Sequence, residues 1–255
     1  MINQYTRTYP VTKVDRNKTV TNSNFSIARE ETVELLINGT RIASILSSPV
    51  NMKELAVGYV ICEGIADFAD IIKTHEHGNR VNLEIANMDD TDMLYELRSS
   101  GYMGVSQKNN PTKIQSDVVF EPESIFASQK YLESNIYRLT KGTHLAALID
   151  RNGKLVTQAV DIGRHNAIDK VIGYSRLTGL DVSNLYLLST GRQSEGMVLK
   201  ASRSGIPLLV TKSAPFDSGI ETAEKTGLCL VGFASESEMF IFVNPERINL
   251  KSRDV

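Results

Sequence analysis

From residue 145 onward the chain alternates short apolar runs with helical periods, and no other feature of the sequence restricts the fold as much. Leu145 to Asp150 and Leu155 to Val160 flank Asn152-Gly153, a dipeptide suited to the two positive φ angles of a type I′ hairpin turn. Helices are then expected at Asn166 to about Thr178, Glu195 to Ser204 and Gly219 to Thr226. Strands are expected at Leu185 to Leu188, Pro207 to Val210, Leu228 to Phe233 and Met239 to Val243. Strands separated by helices pair in parallel, because the crossover must return to the same sheet edge. The pattern therefore predicts a three-layer α/β domain with a parallel centre, over residues 121–255.

The first half reads as a smaller α+β unit, residues 29–120. Thr32 to Ile37 and Thr40 to Leu46 form a second hairpin around Asn38-Gly39. Asn51 stands three residues before Glu54, as in a capping box, and Met52, Leu55, Ala56, Tyr59 and Val60 follow at helical spacing until Gly64. This helix is expected to pack back on the hairpin. Val81, Leu83 and Ile85 alternate like a half-buried strand, and Met93, Leu94 and Leu97 suggest a short helix. Ser99 to Pro111 has no period and reads as a mobile loop. Pro122 is placed to start a helix with Phe126, Leu132 and Ile136 as its buried stripe, ending near Leu139. Residues 1–28 are polar and without a period, and read as a flexible arm.

With 28 basic and 30 acidic residues the formal charge is -2, so no overall positive field draws nucleic acid or an anionic membrane to the chain. No apolar run reaches the ~18 residues of a membrane span, and Met1 to Val14 lacks the layout of a secretory signal, which points to the cytoplasm. Cys62 and Cys229 each lie in an apolar stretch far from the other, as buried free thiols do.

In an open parallel sheet, ligands bind beyond the carboxyl ends of the strands. The loops expected there are Asp161 to Asn166, Thr190 to Ser194 and Thr211 to Pro215, and each carries a cation. A cation at a helix N-terminus faces the positive end of the macrodipole, which disfavours it. Two readings answer this. Arg164 and Arg192 hold a phosphate or pyrophosphate together with backbone amides, or Asp161 and Asp169 pair with the arginines and staple the loops. His165 suits a general acid, a phosphate donor or a hydrogen-bonded structural role, and His144 a core or hinge position. His75 and His77 read as a solvated turn.

Asp161-Ile162-Gly163-Arg164-His165-Asn166-Ala167-Ile168-Asp169-Lys170 resembles the signature of the FdhD formate dehydrogenase accessory protein family (FdhD/NarQ). Further similar segments follow in the family's order: Glu54 to Tyr59 with Glu63-Gly64, Gly142-Thr143-His144, Gly191 to Ser194, Gly205-Ile206-Pro207, Ser213-Ala214-Pro215 and Val231-Gly232-Phe233. The resemblance implies a cytidine-deaminase-like α/β/α C-terminal domain with a smaller α+β N-terminal domain, in a cytoplasmic homodimer. It implies that sulfur is relayed from a cysteine desulfurase to a molybdenum or tungsten bis-molybdopterin guanine dinucleotide, bound as cargo and destined for formate dehydrogenase.

The cofactor-binding residues it implies are Asp161, Gly163, Arg164, His165, Asn166, Asp169, Lys170, Gly191, Arg192, Ser194, Ser213, Phe233, Ala234 and Ser235. In the family a C-x-x-C pair carries the sulfur as a persulfide, whereas Met103 and Ser106 stand at those positions here. A thioether and a hydroxyl cannot do this chemistry. The alternative is a chaperone that binds the cofactor without transferring sulfur. Zinc deaminase chemistry needs H-x-E and P-C-x-x-C, and the chain has neither, so no metal site is expected.

Overall fold

A computed structural model describes residues 2–86 and 113–250, and the backbone of 94–97 and 103–106. A single turn, α1 (Ile2–Tyr5), leads into β1 (Thr6–Val14) and β2 (Val20–Ala28), which pair antiparallel along their whole length. These residues were expected to be an irregular arm. The hairpin is solvated on both faces, so no apolar alternation marks it, and its turn is set locally. Asp15 Oδ1 accepts the amides of Asn17 and Thr19, and Lys18 takes φ 63°.

The hairpin β3 (Glu31–Ile37) and β4 (Thr40–Ser47) forms as expected, with Asn38 and Gly39 at φ 49° and 84°. The Asn38 side chain also exchanges hydrogen bonds with the backbone of Ile85, which fixes the turn to a neighbouring strand. After α2 (Met52–Cys62), β5 (Ile71–His77) and β6 (Arg80–Ile85) complete a four-stranded sheet of order β4-β3-β6-β5. Two expectations fail here. Asn51 is left-handed (φ 58°) and its side chain makes no capping bond, so the capping box is absent. His75 and His77 lie on β5 rather than in a turn, and His75 Nε2 is 2.8 Å from Glu84 Oε1.

The short helix expected around Met93, Leu94 and Leu97 is instead a strand, β7 (Leu94–Leu97), paired antiparallel with β8 (Met103–Ser106). Antiparallel pairing satisfies a four-residue backbone that a single helical turn leaves open. Met103 and Ser106 thus belong to a strand, and the rest of the loop expected at 99–111, like Met93, lies outside the described residues.

The helix expected from Pro122 to Leu139 is broken into α3 (Pro122–Ser128), a 3-10 turn at Gln129–Leu132 and α4 (Asn135–Thr140). Ser134 is the cause, since its hydroxyl accepts the amides of Ile136 and Tyr137 and starts a new helix. Ile125, not Phe126, is the fully buried apolar residue of α3. Next come β9 (His144–Ile149), β10 (Leu155–Asp161), α5 (Arg164–Leu177), β11 (Tyr186–Ser189), α6 (Glu195–Arg203), β12 (Leu208–Thr211), α7 (Asp217–Thr226), β13 (Cys229–Gly232) and β14 (Phe240–Val243). The six strands are ordered β10-β9-β11-β12-β13-β14, with β11, β12 and β13 parallel, as the alternation predicts.

Leu145, Ala147, Tyr186, Leu188 and Val210 face one apolar cluster with Phe120, Ile125 and Leu132. Ala146, Leu148, Leu187, Leu209 and Leu230 face the other, with α5, α6 and α7. That second cluster continues through α2 into Val33, Leu35, Val81 and Leu83, so the two halves of the chain share one core. At the junction α2 and α5 cross with a glycine at each point of closest approach. A Cβ on Gly58 of α2 would lie 1.8 Å from the Asp169 carbonyl oxygen, and one on Gly173 of α5 would lie 1.9 Å from that of Glu54. The contact that most determines the placement of α2 is therefore α5, rather than the hairpin alone. No described helix is long and apolar enough to cross a membrane.

A cationic edge at the strand ends

The carboxyl ends of β11, β12 and β13 share one edge because these strands are parallel. β9 is antiparallel to β11, so its first residue, His144, arrives at the same edge, and Asp161 at the end of β10 pairs with it. Thr190 stitches the two together. Its amide donates to the Leu145 carbonyl (3.0 Å), its Oγ1 accepts the Leu145 amide (2.9 Å), and that oxygen lies 3.3 Å from His144 Nδ1.

Beneath this edge the Asp161 carboxylate accepts five hydrogen bonds. Oδ2 takes Ser47 Oγ (2.6 Å), the Ser48 amide (3.0 Å) and Lys170 Nζ (2.6 Å), while Oδ1 takes the Gly163 amide (2.7 Å) and Asn166 Nδ2 (2.9 Å). Lys170 Nζ donates also to the Ser48 carbonyl, and Asn166 Nδ2 to that of Leu46. Burial pulls the Lys170 ammonium below its ordinary value, and the Asp161 carboxylate opposes this. Asp169 is paired in turn with Lys200, at 2.8 and 2.9 Å, and Lys200 lies 2.6 Å from Glu63. All three are fully buried. Burial lowers the Lys200 ammonium, but the two carboxylates overcome it and hold the group above its ordinary value.

The stapling alternative is thus corrected: Asp161 and Asp169 pair with lysines on α5 and α6, not with Arg164 and Arg192. The signature residues separate into two groups. Asp161, Asn166, Asp169 and Lys170 are buried and bonded within the protein, tying the end of β4 to the C-terminal sheet, and His165 is only 4% exposed. Arg164, half-buried, begins α5 on the rim, its stem lying over Gly191, where a Cβ would come within 2.8 Å of Arg164 Cβ. Burial lowers the Arg164 guanidinium from its ordinary value, and the charge of Arg192 lowers it further. Exposed Arg192 sits over the Phe216 ring, 5.1 Å from its centre. His144 feels the same cluster: burial lowers its imidazole, as do the charges of Arg164 and Lys212.

The remaining expected residues lie along this edge or beside it. Gly163 caps α5, where a Cβ would press on Asn166 Nδ2 at 2.8 Å. Ser194 precedes α6, and Ser213 Oγ donates to the Thr190 carbonyl at 2.9 Å. Phe233, 48% exposed at φ 50°, follows β13 and stacks edge-on with Phe240. Ala234 is buried, and Ser235 Oγ is spent on the turn to Glu238. Sequence reasoning missed His144 as a member of the edge, since the antiparallel start of β9 brings it there. It also missed Gln193, whose role depends on loop contacts.

Neither cysteine is at the edge. Burial raises the Cys62 thiol well above its ordinary value, with the charge of Asp169 adding to the effect, and pushes Cys229 up to about 12. Both are fully buried.

The model of the FdhD/NarQ family matches residues 28–249. The sulfur carrier protein FdhD of Shouchella clausii is 32% identical over 245 residues, covering 89% of this chain and 91% of that one. Its namesake in Sulfolobus acidocaldarius is 31% identical over 251 residues, covering 96% and 99%. The fold is shared with a crystal structure described as a formate dehydrogenase accessory protein, from Desulfotalea psychrophila. The TM-score is 0.82 at 22% identity, over 96% of this chain and 99% of that one. Signature, fold and relatives agree, and the chain belongs to the FdhD/NarQ family.

Proposed function

We propose that this chain is an accessory protein for formate dehydrogenase that holds the bis-pterin guanine dinucleotide, with its molybdenum or tungsten, by a pyrophosphate at the Arg164–Arg192 edge. The observation that carries the reading is that two arginines from different loops stand on one edge, Arg164 over Gly191 and Arg192 over Phe216, near enough for the charge of Arg192 to lower the Arg164 guanidinium. Like charges brought to one rim suit an anion bridging them. Arg192 is braced by Phe216 and Arg164 by Gly191, so each planar fork is partly ordered before the ligand arrives. Formate dehydrogenase as recipient, a homodimer and a cytoplasmic setting complete the proposal, on the strength of the family.

The proposal includes no sulfur store on a cysteine of this chain. A persulfide forms on an accessible thiolate, and both thiols are buried and held in the neutral form. Incubation with a cysteine desulfurase and cysteine, followed by cyanolysis, tests this part, and titration with guanosine diphosphate tests the other. Nucleotide binding without protein-bound sulfane sulfur is expected. Cyanolysable sulfur on the chain contradicts the thiol argument, and absence of nucleotide binding contradicts the anion site.

A further inference from the structure

Gln193 follows Arg192 and is fully buried. Its Nε2 donates to the Gly191 carbonyl at 2.6 Å, and Thr211 Oγ1 donates to the same oxygen at 2.7 Å, so both lone pairs of that carbonyl are used. The Gly191 amide is held as well, by Ser189 Oγ at 3.0 Å. The backbone of Gln193 is tied to the next loop: its amide donates to Ala214 O at 3.0 Å, and its carbonyl accepts the Phe216 amide at 2.8 Å. A Cβ on Gly219 would stand 2.5 Å from that carbonyl oxygen, so α7 closes over it. Gln193 thereby holds Gly191, which lies under the stem of Arg164, with its side chain, and joins it to Phe216, which lies under the guanidinium of Arg192, through its backbone carbonyl.

The carboxamide does this at a cost. Its Oε1 is buried and has no hydrogen-bond partner, a penalty that an apolar side chain of similar length would not incur. A side chain selected for packing alone would not carry an unused acceptor here. We propose that Gln193 is a positioning residue for the anion site: it sets the spacing of Arg164 and Arg192 by clamping Gly191 and Phe216, without touching the ligand. This rests on the anion reading above.

The test uses the full chain with Gln193→Met, which keeps the length of the side chain and removes both the donor and the unused acceptor. Its melting temperature should equal or exceed that of the wild type. Its affinity for guanosine diphosphate should fall by about fivefold to tenfold, the value of one or so neutral hydrogen bonds. Amide hydrogen exchange at Gly191 and Arg192 should quicken in the unliganded protein. If Q193M does not fold, Gln193→Leu gives the same two readings, since it too removes the donor to the Gly191 carbonyl and adds no charge beside the arginines. Unchanged affinity and unchanged exchange in a wild type that binds the nucleotide overturn the positioning role and leave the anion site standing. A wild type that binds no nucleotide overturns the anion site instead, and the exchange rates still decide whether Gln193 clamps the loop.

Discussion

Gly58 and Asp169 meet backbone to backbone, so closely that a methyl group on Gly58 would fall 1.8 Å from the Asp169 carbonyl oxygen. Gly173 and Glu54 repeat the contact on the same pair of helices. The crossing of α2 and α5 is what seats the N-terminal sheet on the C-terminal one, and it permits no side chain at either glycine.

Gly58→Ala should therefore force the helices apart and cost about 1–3 kcal/mol or more, the range of overpacked core sites. Gly39→Ala is the contrast, since it meets no atom within 4 Å and pays only for its positive φ. Urea denaturation of both variants compares them directly.

The Asp161–Lys170 pair is buried, with 0% and 1% side-chain exposure. Asp161→Ala leaves an ammonium without its counterion and removes the acceptor of bonds from Ser47, Ser48, Gly163 and Asn166. A loss of about 3–5 kcal/mol is expected. Replacing both partners by apolar residues should recover part of it, which a double-mutant cycle measures.

Asp169 supplies a pH signature. Burial pushes its carboxyl up to about 6, against the pull of Lys200, from 3.8. The folded state thus binds this proton more tightly than the unfolded state, so stability contributed by the group falls as pH rises between these values. Urea midpoints measured across about pH 4 to 6 should contain this downward component, and Asp169→Asn should lack it.

The two thiols should resist labelling in the native protein at about pH 8, because neither is exposed and both titrate above that pH. Ellman's reagent should find both only after unfolding in guanidinium. Rapid native reaction of Cys62 or Cys229 would reopen a sulfur-carrying role for it.

What the sequence made legible was what local chemistry determines. Asn38-Gly39 marks its hairpin because few other residues accept two left-handed angles in succession, Gly153 marks the other by its own positive φ in a turn that Asp150 organises, and the alternation after residue 145 marks the parallel centre because its strands are buried on both faces. The β1–β2 hairpin and β5 were not legible, since their strands are largely solvated and no apolar period distinguishes them. At the site, Arg164 and Arg192 could be read from two loops that precede helices. The true partners of Asp161 and Asp169 could not, because Ser47, Ser48, Glu63 and Lys200 reach them only through the tertiary fold.

The account turns on Arg164 and Arg192 gripping one anion. Calorimetric titration with guanosine diphosphate of the wild type, Arg164→Ala, Arg192→Ala and the double variant tests it most directly. Each single substitution should weaken binding by about 1.5–3 kcal/mol, the value of hydrogen bonds to a charged group, with melting temperatures little changed. The double variant should lose less than the sum, because the two forks share a ligand. Lysine at either position should restore only part of the affinity, since it keeps the charge and loses the fork. Equal affinity in all of these proteins would contradict the cationic edge as the place where this chain holds its cargo.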